Sequence, residues 1–182
     1  MSDPGEVLSA ARRELARLPP LLDVMVGDLE EATARERPAP GEWAPIEILC
    51  HLRDEETEDF GARLRAVIEG RSELAPIDPA RWVDERRYRE ARLAGVLEAI
   101  RSRRRASLEL LAGLAPERFG ASVPHASFGS LSGLDLLVAW VEHDRLHVRQ
   151  LAGALARQWA SRWAPLKAEY AGPIPHARAG ED

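Results

Sequence analysis

The stretch LDLLVAWVEHDRLHVRQLAGAL, residues 134–155, decides the fold. It contains no proline, and Leu136, Trp140, His143, His147 and Leu151 recur at intervals of three and four, which places them along one face of a helix. Ser130 or Ser132 can cap its start, and Ser132 with Asp135 three residues on approximates a capping box. The same period governs the rest of the chain. The segment APIEILCHLRDEETEDFGARLRAVIEG, residues 44–70, runs unbroken from Pro45, a favoured first-turn residue, to Gly70, a favoured C-cap.

Before it, Leu8, Ala11, Leu15, Leu18, Leu22, Met25 and Leu29 mark a first helix, in which Pro19 and Pro20 predict a kink or short break. Residues 37–42, rich in proline and glycine, end it. After a loop over 71–79, Pro79 opens a long third helix with Leu93, Val96, Leu97, Ile100, Leu108 and Leu111 inward and arginines 101, 103, 104 and 105 largely outward. Residues 116–129 read as loop, 156–170 as a short fifth helix bearing Trp159 and Trp163, and 172–182 as a flexible tail. There is no strand-like alternation and no repeat. The expected fold is an all-α bundle of four long helices with short accessory helices, one domain over residues 1–171.

A length of 182 residues suits a single core, and 45% hydrophobic with 30% charged residues excludes a disordered chain. A net charge of -5 argues against nucleic acid as partner. No apolar run is long enough to span a bilayer, the first eighteen residues lack a signal-peptide core, and the lone Cys50 excludes an internal disulfide; a cytoplasmic location is expected.

The chemistry concentrates on histidine. His143 and His147, one turn apart on an apolar face, form a pair able to bind one metal ion, although such pairs also occur as ordinary core or surface residues. His51, flanked by Ile48 and Leu52, is a third inward candidate, and three nitrogens with an open position suit a catalytic metal. Glu47 and Glu55 lie one turn either side of His51. Glu47 is the candidate base or orienting group; Glu55 reads as part of a solvated face, as do Asp54, Glu56, Glu58 and Asp59. Two metals are disfavoured, since a dinuclear carboxylate site needs Glu-x-x-His on two helices. Cys50 reads as core, His125 and His176 as surface, and Trp140 as a residue that can line the metal pocket.

The block from Gly41 to Glu56, GEWAPIEILCHLRDEE, resembles the G-x-W-S-x-x-E-x-x-x-H-L-x-D-x-E signature of the DinB-like superfamily. The later block EHDRLHVRQL, residues 142–151, resembles its H-D-x-x-H-x-x-Q-I element, and the likeness covers most of residues 5–155. It implies an up-down-down-up four-helix bundle, often a homodimer, in which His51, His143 and His147 coordinate one divalent metal, zinc or nickel. Relatives include thiol S-transferases that use bacillithiol, mycothiol-dependent maleylpyruvate isomerases and uncharacterised hydrolases. The chain departs from the pattern at Ala44, Cys50 and Leu146, none a presumed ligand.

The expected function is therefore a metal-dependent enzyme in which the ion activates a low-molecular-weight thiol for S-transfer to a small-molecule substrate, with hydrolysis of a small substrate by an activated water as the next alternative. Arg53, Arg145 and Arg149 are candidates to hold the carboxylates of a low-molecular-weight thiol cofactor. The competing expectation is a non-catalytic stress-response binding or dimerisation module, which a closed four-ligand shell or a distant His51 would favour.

Overall fold

The computed structural model describes residues 3–71, 74 and 76–173. The first helix forms as two pieces, α1 (Pro4–Leu15) and α2 (Leu18–Val26). Asp3 caps α1 by accepting from the Glu6 N–H at 3.2 Å. The break falls at Ala16 and Arg17 because Pro19 and Pro20 offer no N–H to the carbonyls of Leu15 and Ala16 four residues earlier. A short α3 (Glu31–Arg35) leads to the second helix, which consists of α4 (Pro45–Glu55), a π-helical turn over Glu56–Phe60, and α5 (Gly61–Ile68). Gly61 suits that turn, since a Cβ there would run into the Glu56 carbonyl oxygen.

The uninterrupted third helix expected from Pro79 is not observed. Instead α6 (Pro79–Glu85) is followed by Arg87 at φ 48° and a 3₁₀ turn over Tyr88–Glu90, and α7 (Leu93–Ala112) starts anew. The cause is tertiary: the buried Tyr88 donates its hydroxyl to Asp54 at 2.9 Å, and Arg35 donates to the carbonyls of Arg89 and Ala91, so the chain is pinned where a helix would run past.

An antiparallel hairpin, β1 (Ser122–His125) with β2 (Gly129–Ser132), stands where loop was expected. Gly129, at φ 72°, supports its turn. The reciprocal Ser132–Asp135 capping box then opens α8 (Gly133–Trp163), with bonds of 3.1 and 2.8 Å. The separate fifth helix expected over 156–170 is mostly the continuation of α8. Gln158 holds that extension by donating to the carbonyls of Thr33 and Glu36, and Pro165 disfavours helix in the residue before it. A 3₁₀ turn over Ala168–Ala171 follows. The expected tail lies, from residue 174 on, outside the described residues, as does His176.

Side-chain pairs give the helix directions. Glu14 pairs with Arg145, and Leu22 belongs to the same core as Leu151, so the first and last helices run together. Asp54 meets Arg103 while Glu56 meets Arg104, and Phe60 lies near Trp140 while His51 lies near His147. The second helix is therefore parallel to α7 and antiparallel to α8. The bundle is up-down-down-up, and the crossover carrying α6 lets two successive helices point the same way. No helix among the described residues is long and apolar enough to cross a membrane.

The apolar core is in two halves. One gathers α2, α4, α7 and the later part of α8 around Leu22, Ile48, Leu97 and Leu151; the other gathers α1, α5 and the start of α8 around Leu15, Leu64, Leu137 and Trp140. Between them lies a buried polar layer. Arg104, expected to face outward, is 2% exposed; its guanidinium donates to Glu56 at 2.7–2.9 Å, to Asp144 at 2.7 and 3.1 Å, and to the Leu15 carbonyl at 2.7 Å. The surface expected for Asp54 and Glu56 is likewise buried, with Asp54 accepting from Arg53, Arg86, Arg103 and Tyr88.

Removing a buried charge partner leaves the rest uncompensated, which typically costs about 3–5 kcal/mol. Arg104→Met is expected to lower the unfolding free energy by roughly that amount in urea titrations. Arg104→Lys should recover only part, because an ammonium lacks the fork that serves two carboxylates and a carbonyl together.

Candidate metal centre

His51 projects from the middle of α4, and His143 and His147 from adjacent turns of α8. Antiparallel packing brings the three rings together with centroids 4.3, 4.5 and 5.4 Å apart. One nitrogen of each lies within 4.8 Å of the others, forming a group of metal-ligand type. The Nε2 atoms of His51 and His147 are 3.1 Å apart, close to the roughly 3.3 Å edge of a tetrahedron with metal–nitrogen bonds of about 2.0–2.1 Å.

The tautomer of His147 suits a ligand. Its Nδ1 lies 2.7 Å from the Gln150 side-chain carbonyl, which only accepts, so Nδ1 carries the proton and the Nε2 lone pair faces His51. Burial, with His143 and His51 adding to it, pushes His147 down to about 4; burial holds His51 below the ordinary histidine value as well. Both are neutral at pH 7, the form that binds metal. The donor set therefore fits one divalent transition ion. Trp43 packs edge-on to His51 at 5.0 Å and parallel to His147 at 6.4 Å, and Phe60 lies 4.8 Å from His143.

Glu55 corrects the sequence reading. It is 4% exposed, and its carboxylate lies 2.7 Å from His143 Nε2 and 3.5 Å from His51 Nε2. Burial works to raise its pKa, but the hydrogen bond from His143 and the neighbouring imidazoles outweigh that and keep it below the usual range. Nothing in α4 alone distinguishes this face from a solvated one; α8 covers it.

Glu47, the expected base, is also buried but is not brought to the histidines. It accepts from Arg37 at 2.9 and 2.5 Å and from the Ala44 N–H at 2.7 Å, which makes it the helix-start partner of α4. Arg145 and Arg149, two residues after the histidines and so on the other side of α8, are exposed, and Arg145 pairs with Glu142 and Glu14. Arg53 is engaged by Asp54. None of the three arginines is placed to hold a cofactor at the imidazoles.

Trp140 reaches the centre indirectly, stacked on Phe60 at 5.9 Å. Trp43, read from sequence as core, touches two of the histidines; its place eight residues before His51 carried no periodic signal. Cys50 is buried as expected, and burial pushes its thiol up to about 12, so it is no nucleophile. His125 sits on the hairpin against Phe128, apart from the cluster.

Between the ordinary histidine value near 6.5 and about 4, unfolded chains bind a proton at position 147 that the folded protein does not. The stability contribution is full above pH 6.5 and is lost as pH falls toward 4. In metal-free protein the melting temperature should drop through this window, and His147→Gln should flatten the slope, as differential scanning calorimetry at stepped pH would record.

The family profile of the DinB superfamily matches residues 13–151. No curated protein matches the sequence. Among solved structures, YfiT from Bacillus subtilis, described as a probable metal-dependent hydrolase with an unusual four-helix bundle topology, superposes with a TM-score of 0.74 at 17% identity, covering 84% of this chain and 87% of its own. At that identity the likeness establishes the fold. With a profile match across most of its length, an up-down-down-up bundle and three histidines converging from the second and fourth helices, this chain belongs to the DinB superfamily.

Proposed function

We propose that the protein is a metal-dependent enzyme acting on a small-molecule substrate, with His51, His143 and His147 holding one zinc or nickel ion. The observation that carries this is the convergence of three nitrogens within 4.8 Å, with His51 and His147 neutral and the tautomer of His147 set by Gln150. Such an ion supplies Lewis acidity, lowering the pKa of a bound water or thiol so that a nucleophile exists near neutral pH.

The chain's own groups prepare that chemistry. Trp43 and Phe60 flank the imidazoles and exclude water from two sides, which strengthens electrostatic interactions there. His143, with 18% of its side chain exposed, is more accessible than His51. Hydrolysis of a small substrate is the leading reaction. It needs no bound thiol, and the arginines expected to anchor one face elsewhere; the YfiT description is in keeping with it. Thiol S-transfer is the second reading, supported by the family motifs and by the apolar rings beside the histidines, which suit a soft sulfur nucleophile.

Elemental analysis of untagged protein should find about one zinc or nickel per chain, lost in His143→Ala. Ester hydrolysis and thiol conjugation, each assayed with and without chelator, separate the two reactions. Absence of metal from wild-type protein, with no thermal stabilisation on adding divalent ions, would leave the non-catalytic module as the better reading.

A further inference from the structure

The buried acids of the bundle follow one rule with one exception. Glu47 is matched by Arg37, Asp54 by Arg53, Arg86 and Arg103, and Glu56 and Asp144 by Arg104. Glu55 is equally buried, yet its only ion-pair partners among the described residues are His143 and His51. A carboxylate withdrawn from water beside imidazoles lacks the full countercharge that each of its buried neighbours has.

Its position says what supplies that charge. His51 and Glu55 are one turn apart on α4, and His143 and His147 are one turn apart on α8; the helices are antiparallel, so His51 lies opposite His147 and Glu55 opposite His143. The separations across the group are 3.1 Å between His51 and His147 Nε2, 2.7 Å between Glu55 and His143 Nε2, and 3.5 Å between Glu55 and His51 Nε2. The 2.7 Å contact is made by Glu55 Oε2 and the 3.5 Å contact by Oε1, so each oxygen of the carboxylate lies against a different one of the candidate ligands, within side-chain reach of an ion held by the three imidazoles.

We propose that Glu55 is the fourth protein ligand of the centre, so that the resting shell is three imidazoles and one carboxylate, two donors from α4 and two from α8. This rests on the metal-binding reading given above. It makes Glu55 a displaceable ligand, leaving a coordination position available to a substrate, which distinguishes this arrangement from the permanently closed shell expected of a non-catalytic module. It also accounts for a buried acid with no arginine in a protein that has 24 of them by sequence, all its Lys+Arg total of 25 except Lys167.

Cobalt(II) substitution tests this by spectroscopy and affinity rather than turnover. Glu55→Gln preserves side-chain volume and is expected to bind cobalt at least about tenfold more weakly in chelator competition, with an altered visible spectrum. Glu55→Cys should show a thiolate-to-cobalt charge-transfer band absent from wild type, direct evidence that side chain 55 reaches the ion. A wild-type spectrum in Glu55→Gln, at any affinity, together with no such band in Glu55→Cys, would overturn the proposal while leaving the three-histidine site standing. Failure of wild-type protein to bind cobalt would instead overturn the metal reading and this inference with it.

Discussion

One buried guanidinium ties the four helices together. Arg104 of α7 reaches Glu56 at the start of the π turn, Asp144 on α8, and the Leu15 carbonyl that ends α1. That carbonyl is free for a covalent reason, since the residue four positions on is Pro19. The proline break and the buried arginine therefore form a matched pair: the break exposes an acceptor where the arginine has a donor left over after serving two carboxylates.

The same layer positions the candidate centre. Glu56 follows Glu55, and Asp144 follows His143, so adjacent residues on two helices point in two directions about 100° apart. One member of each pair is held by Arg104, and the other faces the histidines. Anchoring Glu56 and Asp144 from α7 sets the rotation of α4 and α8 about their axes, which in turn sets where Glu55 and His143 point. The π turn then advances α5 by one residue, so Phe60 lies over His143 while Asp59 is turned to Arg63.

A second polar hub fixes the crossover. Asp54 gathers two arginines from helices, Arg86 from beyond α6, and the Tyr88 hydroxyl, and these interactions hold its carboxylate well below the usual range even though burial opposes them. This hub splits the anticipated third helix. Its participants lie 32 to 49 residues from Asp54, apart from the adjacent Arg53, and no local period can report pairings at that distance.

What sequence alone determined follows from periodicity and breaker residues, both local properties. The four helices, the break at Pro19 and Pro20, the Ser132–Asp135 cap and the shared face of His143 and His147 were all legible because each depends on neighbours within about one turn. Arg104 was legible in principle, four residues after Ile100 and seven before Leu111 on the inward stripe, and was misread because its residue type outweighed its position. His51 was legible as an inward residue of its own helix, but its meeting with the histidine pair requires α4 to lie beside α8, which only the familial resemblance implied. Tertiary structure decided the rest: the roles of Glu55 and Glu47, the turning away of Arg145 and Arg149, and the contacts of Trp43. An acidic residue on a helix carries the same local signal whether water or another helix covers it. Only the packing of α8 on α4, and of α7 behind both, determines which carboxylate meets an arginine and which meets the imidazoles.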